Sequence, residues 1–468
     1  MSKTIISEGD EGVQLIVKNP KPAEASTAEP RSPVHVVYGG AHLYRSDTPQ
    51  KLGKLALASL KEYAPNFVEF AHAMTLPGTE GLPRIPKAVA NLEAQIAKDP
   101  EKARESEFAA WFAWTVYKRT TEKLRREPVE DFRIDFEDGY GSRADEEEDR
   151  YADLASTELA ASFAGRTALP FCGLRVKSFA PETAERAKRT LEIFLDNLIR
   201  ATGGKLPQGF AVTLPKVTSR KQIKEICKIL ARHEKKAGIS DGSIGVEIMI
   251  ETPDAIFDKK GRVPLRGFIK AAGKRSVSAH FGAYDYTSAL SIAAPFQDIR
   301  HSACDFARHM MQASLSPLGV RLSDSVTTEL PVPLHRGNDL SGAQLTENRR
   351  SVHAGWRRHF ENITRSMSAG FYQSWDLHPN QLPARYAAVY SFYLYNYAAQ
   401  ARRLRGFIEK ASQASMAGAT FDDAASAQGV LTFFRRALGC GALTADEVET
   451  ATGLSASRIA SLSFSEFV

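Results

Sequence analysis

The feature that most limits this chain is a rhythm. From residue 131 onward, short apolar runs recur, each followed by a polar cluster and then by a helical stretch. The runs cover 132–136, 172–176, 210–214, 244–250 and 277–281, and successive runs start 33–40 residues apart. Short runs bounded by turn residues and alternating with helical patterns read as strands of a parallel sheet. Two later runs, 319–322 and 371–377, continue the series, and a β-branched run at 34–38 precedes it. Eight strands alternating with helices predict a TIM (β/α)8 barrel. An open doubly wound sheet would carry a glycine-rich phosphate turn after its first strand. Here Gly39-Gly40 is followed by Ala41-His42-Leu43-Tyr44, without that spacing.

The domain organisation follows from what lies outside the rhythm. Residues 1–33 are polar and rich in Ser, Glu and Pro, and read as a flexible arm with one short strand at 13–17. The barrel is expected over 34–390, with a helical insertion at about 67–126 and a helical C-terminal cap over 391–468. Within it, 48–63 reads as a helix, 65–95 as irregular, 87–126 as helix broken near Pro100, and 254–257 as a helix that extends past Arg266.

Composition excludes several classes. Lys plus Arg is 61 and Asp plus Glu is 55, so the excess of +6 is mild over 468 residues. Its basic clusters have acids nearby, which suits solvated helix faces rather than nucleic acid. The four cysteines, Cys172, Cys227, Cys304 and Cys440, form no CxxC pair, consistent with a reduced chain. The N-terminus lacks an apolar signal region, and no run is long enough for a membrane span, so a cytoplasmic protein is expected.

In a barrel the reactive groups lie where strands end. The second run ends in Asp135-Phe136-Glu137-Asp138-Gly139, and the third holds Arg175 and Lys177. The fourth ends in Pro215-Lys216, the fifth in Glu251-Thr252-Pro253, the sixth in Gly282-Ala283-Tyr284-Asp285 and the eighth in Asp376-Leu377-His378-Pro379. Glu251 and Asp285 are one βα unit apart and should stand on neighbouring strands. Two carboxylates converging there suit Mg2+; alternatively each caps the helix that follows. Glu137 and Asp138 read either as a functional pair or as a turn, and the acidic run 145–149 behind them as a solvated helix start. Arg175 lies within an apolar run, so its fork needs a partner: a substrate carboxylate, or Glu137 or Asp138. Lys177 or Lys216 could form a Schiff base with a ketone. His378 is a candidate acid or base, whereas His353 and His359 fall on helical stretches and are expected to be solvated. No HExxH helix or GxSxG elbow is present.

The motifs Phe136-Glu137-Asp138, Gly173-Leu174-Arg175-Val176, Leu214-Pro215-Lys216-Val217, Ile250-Glu251-Thr252, Gly282-Ala283-Tyr284-Asp285 and Leu377-His378-Pro379-Asn380-Gln381 together resemble the HpcH/HpaI aldolase and citrate lyase β-subunit-like superfamily, as a long branch of it. The resemblance implies a barrel enzyme that makes or breaks a carbon–carbon bond beside a carboxylated carbonyl, with Mg2+ as cofactor. It implies Glu251 and Asp285 as metal ligands and Arg175 on the substrate carboxylate or enolate. Glu137 and Asp138 would organise metal-bound water. Lys216, Gly282 and Ala283 would line the substrate, and the base would be His378, Asp138 or a residue of the C-terminal tail. No Schiff base is expected. The substrate would be a 2-oxo or 2-hydroxy acid, with a coenzyme A thioester as one form, and the assembly a homo-oligomer. The alternatives are a phosphotransferase using phosphoenolpyruvate or pyruvate on the same barrel, and a non-catalytic carboxylate-binding regulator.

Overall fold

A computed structural model describes residues 31–165, 167–207, 209–412 and 424–462. Most of the expected arm, including its strand at 13–17, lies outside the described residues. Eight parallel strands close into one barrel in sequence order: β1 His35–Gly40, β2 Asp131–Asp135, β3 Phe171–Arg175, β4 Ala211–Leu214, β5 Gly245–Ile250, β6 Ser276–Phe281, β7 Arg321–Val326 and β8 Gln373–Asp376. β8 closes on β1, with His35 opposite Ser374 and Val37 opposite Asp376. This is the fold that the strand rhythm predicts.

Side chains alternate across each strand. On β2, Phe132 and Ile134 join the main core under the helices, while Asp131, Arg133 and Asp135 make their bonds inside the barrel. β5 repeats the pattern, with Val246, Ile248 and Ile250 in the core against the helices and Glu247 and Met249 facing in. Gly173 has no room for a side chain, because a Cβ there would stand 1.8 Å from the Ala211 carbonyl oxygen.

The interior is unusually polar for such a barrel, which is commonly filled by branched apolar side chains. Arg133 donates from Nη2 to Glu247 at 2.9 Å and also pairs with Asp131. Glu247 accepts from Thr213 at 2.6 Å and from Ser278, and lies 2.7 Å from His280. All of these are fully buried. Burial would raise the Glu247 carboxyl, but Arg133 and His280 outweigh it and hold it well below the usual carboxylate range.

The helices correct three expectations. The stretch 65–95 is not irregular: Phe67–Met74 is a helix whose N-cap, Asn66, accepts from the Val68 and Glu69 amides, and Pro86–Lys98 is another. The helix after β5 does not run on past Arg266 but stops at Ile256, and Leu265–Ala272 starts afresh. Between them Asp258 accepts from the Lys260 and Arg262 amides in a turn. His353 and His359 are not solvated. His353 stacks on Trp356, and His359 is buried between Thr327 and Asp376.

Phe108–Arg126, the last of four helices between Phe67 and Arg126, packs along Leu382–Ser412 and against Thr48–Tyr63. Leu382–Ser412 is one helix that runs through position 390. Among the described residues no helix is long and apolar enough to cross a membrane.

Candidate active site

The ends of β2 to β6 bring six of the sequence-predicted residues to one mouth. Glu137 and Asp138 follow β2, and Arg175 ends β3. Lys216 follows β4, Glu251 follows β5, and Asp285 lies in the first turn after β6. The Lys216 ammonium is their common centre. It bonds Glu137 and lies 3.3 Å from Asp285 and 3.8 Å from Asp138. Its backbone N–H donates to Glu251 Oε1 at 2.6 Å. Lys216 holds a left-handed backbone, φ 50°, a conformation costly for a residue with a Cβ. That turn aims its amide at Glu251 while the side chain reaches the other acids.

Arg175 is almost fully buried and held from below. Its Nε and Nη2 donate to the two oxygens of Asp135 at 2.7 and 2.6 Å. Only Nη1 faces the acids, 2.9 Å from Glu137 and 3.4 Å from Asp138. Asp135 also accepts from the Glu137 and Gly139 amides, which fixes the loop carrying Glu137 and Asp138. The fork therefore belongs mainly to Asp135, a partner that the sequence reading did not assign.

Charge is crowded here. Burial raises the Glu251 carboxyl to about 8, Glu137 and Asp285 push in the same direction, and Lys216 opposes them. Burial also raises Glu137, with Asp138 adding to it and Arg175 and Lys216 opposing. Burial would lower the Lys216 ammonium, but Glu137 and Glu251 outweigh it and raise its pKa. Gly282 is required beside Glu251, since a Cβ on it would stand 2.4 Å from Glu251 Oε2.

The remaining candidates fall elsewhere. Ala283 is buried and its amide donates to Ser325 Oγ at 3.0 Å. His378 caps the turn after β8, its Nδ1 accepting from the Asn380 amide at 3.1 Å, and burial lowers its pKa. It makes none of the contacts that unite the acids. Lys177 points away from the mouth, to the Phe136 carbonyl and to Glu148, each at 2.7 Å. Glu148 is buried, so the acidic run 145–149 is not simply a solvated helix start. Asp376 turns outward, to His35 at 2.6 Å, His359 at 2.7 Å and Arg385 at 2.8 Å. Of the interior set, Asp131, Arg133, Glu247 and His280 were missed, and Asp135 was read only as a strand end. The signal was present: these residues sit at every second position of runs read as apolar.

Among the described residues, no group of three or more His, Cys, Asp and Glu side chains stands ready by itself to enclose a metal ion. The acids at the mouth meet instead around the Lys216 ammonium. The donor set still fits Mg2+: it is all carboxylate oxygen, and the buried Glu251 carboxyl is crowded by two further acids, a strain a divalent cation relieves.

Residues 18–467 match the model of a family described as a domain of unknown function, DUF6986. No curated protein matches the chain. Among solved structures, a citrate lyase from Burkholderia xenovorans LB400 is similar over 72% of this chain and 92% of its own, at 19% identity and a TM-score of 0.51. The malate synthase of Haloferax volcanii, in its magnesium/glyoxylate complex, is similar over 75% of this chain and 83% of its own, at 16% identity and a TM-score of 0.42. At such identities the likeness to the citrate lyase speaks for the fold.

Proposed function

The chain belongs to the DUF6986 family, and we propose that it is a Mg2+-dependent carbon–carbon lyase or aldolase acting on a 2-oxo or 2-hydroxy carboxylic acid. The observation that carries the reading is the meeting of Glu137, Asp138, Glu251 and Asp285 with Arg175 and Lys216 at one barrel mouth. Glu251 and Asp285 would hold the cation, with Glu137 beside them. When bound, it supplies positive charge to the substrate's carboxylate and adjacent oxygen.

The chain's own residues then do the following. Asp135 clamps Nε and Nη2 of Arg175, so that Nη1 presents a fixed N–H edge to an oxyanion forming at the mouth. A preorganised donor of this kind typically contributes on the order of 10²–10³ in rate. Lys216 carries a second positive charge, which turns from the acids to the substrate's anionic end. Asp138 is the exposed acid of the group, its side chain 64% accessible, and takes the proton of a substrate hydroxyl as the carbon–carbon bond breaks. The acid groups keep their order because Asp135 also ties down the loop after β2.

Calorimetric titration with oxalate, a mimic of the enolate of pyruvate, tests the reading. Binding that requires Mg2+ and is lost in Glu251→Gln and in Asp285→Asn is expected. Equal binding with and without Mg2+, or wild-type turnover in either variant, overturns it.

A further inference from the structure

Below Arg175 lies a column of buried groups that the proposed reaction does not use. The ring of Tyr38, on β1, lies under the Arg175 guanidinium, 4.8 Å from its centre. The same ring stacks on Trp375 of β8 at 4.4 Å. The phenol oxygen lies 3.0 Å from His280 Nδ1 and 3.4 Å from Glu247 Oε1. His280 Nε2 in turn faces Glu247 Oε2, and Glu247 is pinned by Arg133, Thr213 and Ser278. Val36, Met249 and Val326 pack with Tyr38 and Trp375 in one buried apolar cluster.

We infer that Tyr38 is a positioning residue for Arg175: the Trp375 stack and the apolar residues around it hold its ring from beneath, and the ring face supports the guanidinium so that Nη1 stays aimed at the mouth. The inference rests on the lyase reading for its functional consequence, but not for its geometry. Asp135 fixes two nitrogens of the guanidinium in its plane. A hydrogen-bonded edge still allows the plane to tilt about that edge, and a ring beneath it removes this freedom. A guanidinium gains from lying on an aromatic face, and more so when both are shielded from water. The phenol is aimed away from the acids, into the His280–Glu247 pair, so Tyr38 acts through Arg175 and does not meet the substrate itself.

Tyr38→Phe keeps the ring face, and Tyr38→Leu removes it. Crystal structures of both metal-free variants are the first measurement, and need no ligand. Arg175 is expected in its wild-type pose in Tyr38→Phe, and tilted or spread over several poses in Tyr38→Leu. The second measurement is oxalate binding with Mg2+ present. Tyr38→Leu should weaken it by up to about tenfold, the cost of ordering one long side chain on binding, with Mg2+ affinity unchanged and Tyr38→Phe within about twofold of wild type. An unmoved Arg175 in Tyr38→Leu overturns the inference, as does a Tyr38→Phe variant as impaired as Tyr38→Leu. If the wild-type protein binds no oxalate while Arg175 tilts in Tyr38→Leu, the positioning role stands and the lyase reading falls.

Discussion

Asp135 takes Arg175 by both of its oxygens, Nε to Oδ1 at 2.7 Å and Nη2 to Oδ2 at 2.6 Å, from the directly paired position on the neighbouring strand. A bidentate pair this deep fixes one edge of the guanidinium before any ligand arrives. Breaking a buried pair from one side leaves a charge stranded, at a cost of about 3–5 kcal/mol. Asp135→Ala should therefore lower denaturant stability by about that amount and weaken oxalate binding. Urea unfolding and titration calorimetry read the two effects separately, and unchanged values in both would remove the clamp from the mechanism.

Glu251 sets a pH dependence. Its folded-state pKa, near 8, lies above its ordinary value of 4.5. Between those two pH values the unfolded chain ionises while the folded chain keeps the proton. The stability this carboxyl contributes is complete below the ordinary value and is lost as the pH rises towards 8. In chelator, the melting temperature should fall over that window, and Glu251→Gln should flatten the fall, leaving the variant about 2 °C or more above wild type at pH 8. For the same reason, wild-type Mg2+ affinity should climb with pH up to about 8. A scan of melting temperature against pH with parallel curves for the two proteins contradicts this.

Lys216 is the cation that the acids share in this structure. Lys216→Met removes it from between Glu137, Asp138 and Asp285. The metal-free variant should melt lower than wild type, and Mg2+ should raise its melting temperature by more than it raises that of wild type. A thermal-shift titration with Mg2+ checks both, and an equal shift in the two proteins counts against a shared site.

Gly282→Ala tests how closely Glu251 is packed. The new methyl would meet Glu251 Oε2 at 2.4 Å, well inside contact distance. Either the carboxyl or the strand end must move. Mg2+ affinity measured by calorimetry should fall at least tenfold, while circular dichroism stays that of the wild-type fold.

Asp376 is one of the buried carboxylates that set stability on the acid side. Burial would raise its carboxyl, but Arg385, His35 and His359 hold it well below the usual carboxylate range. A depressed pKa gives stability that is present above the unfolded value and lost as the pH falls through the folded one. Asp376→Asn should cost about 3–5 kcal/mol at pH 7, and the difference from wild type should shrink on acidification below pH 4. A constant difference down to pH 2 would place the stabilisation elsewhere.

The barrel and the mouth were legible in the sequence for one reason: buried parallel strands leave compact runs, and each run's last residues face the same rim. Arg175, Lys216, Glu251 and Asp285 all followed from that. What escaped notice lay inside the runs. Arg133 and Glu247 alternate with apolar neighbours, so a window average records an apolar strand while one face is charged. Asp376 ends β8 and faces the helices, because its neighbour Trp375 points into the barrel, whereas His378 lies beyond the strand and caps a turn. Strand end alone does not tell inward from outward; the two-residue period does. The helix Phe67–Met74 hid behind the prolines that follow it, because its start signal, Asn66, was outweighed by Pro77, Pro83 and Pro86.

His35 and Asp376 are separated by 341 positions along the chain, and their contact lies at the seam where the last strand meets the first. During synthesis the N-terminal strand must therefore wait, one edge unpaired, until the ribosome has released most of the protein. A nascent chain ending before Gln373 has no seam and exposes two open sheet edges, the kind of surface that chaperones capture and aggregates grow from.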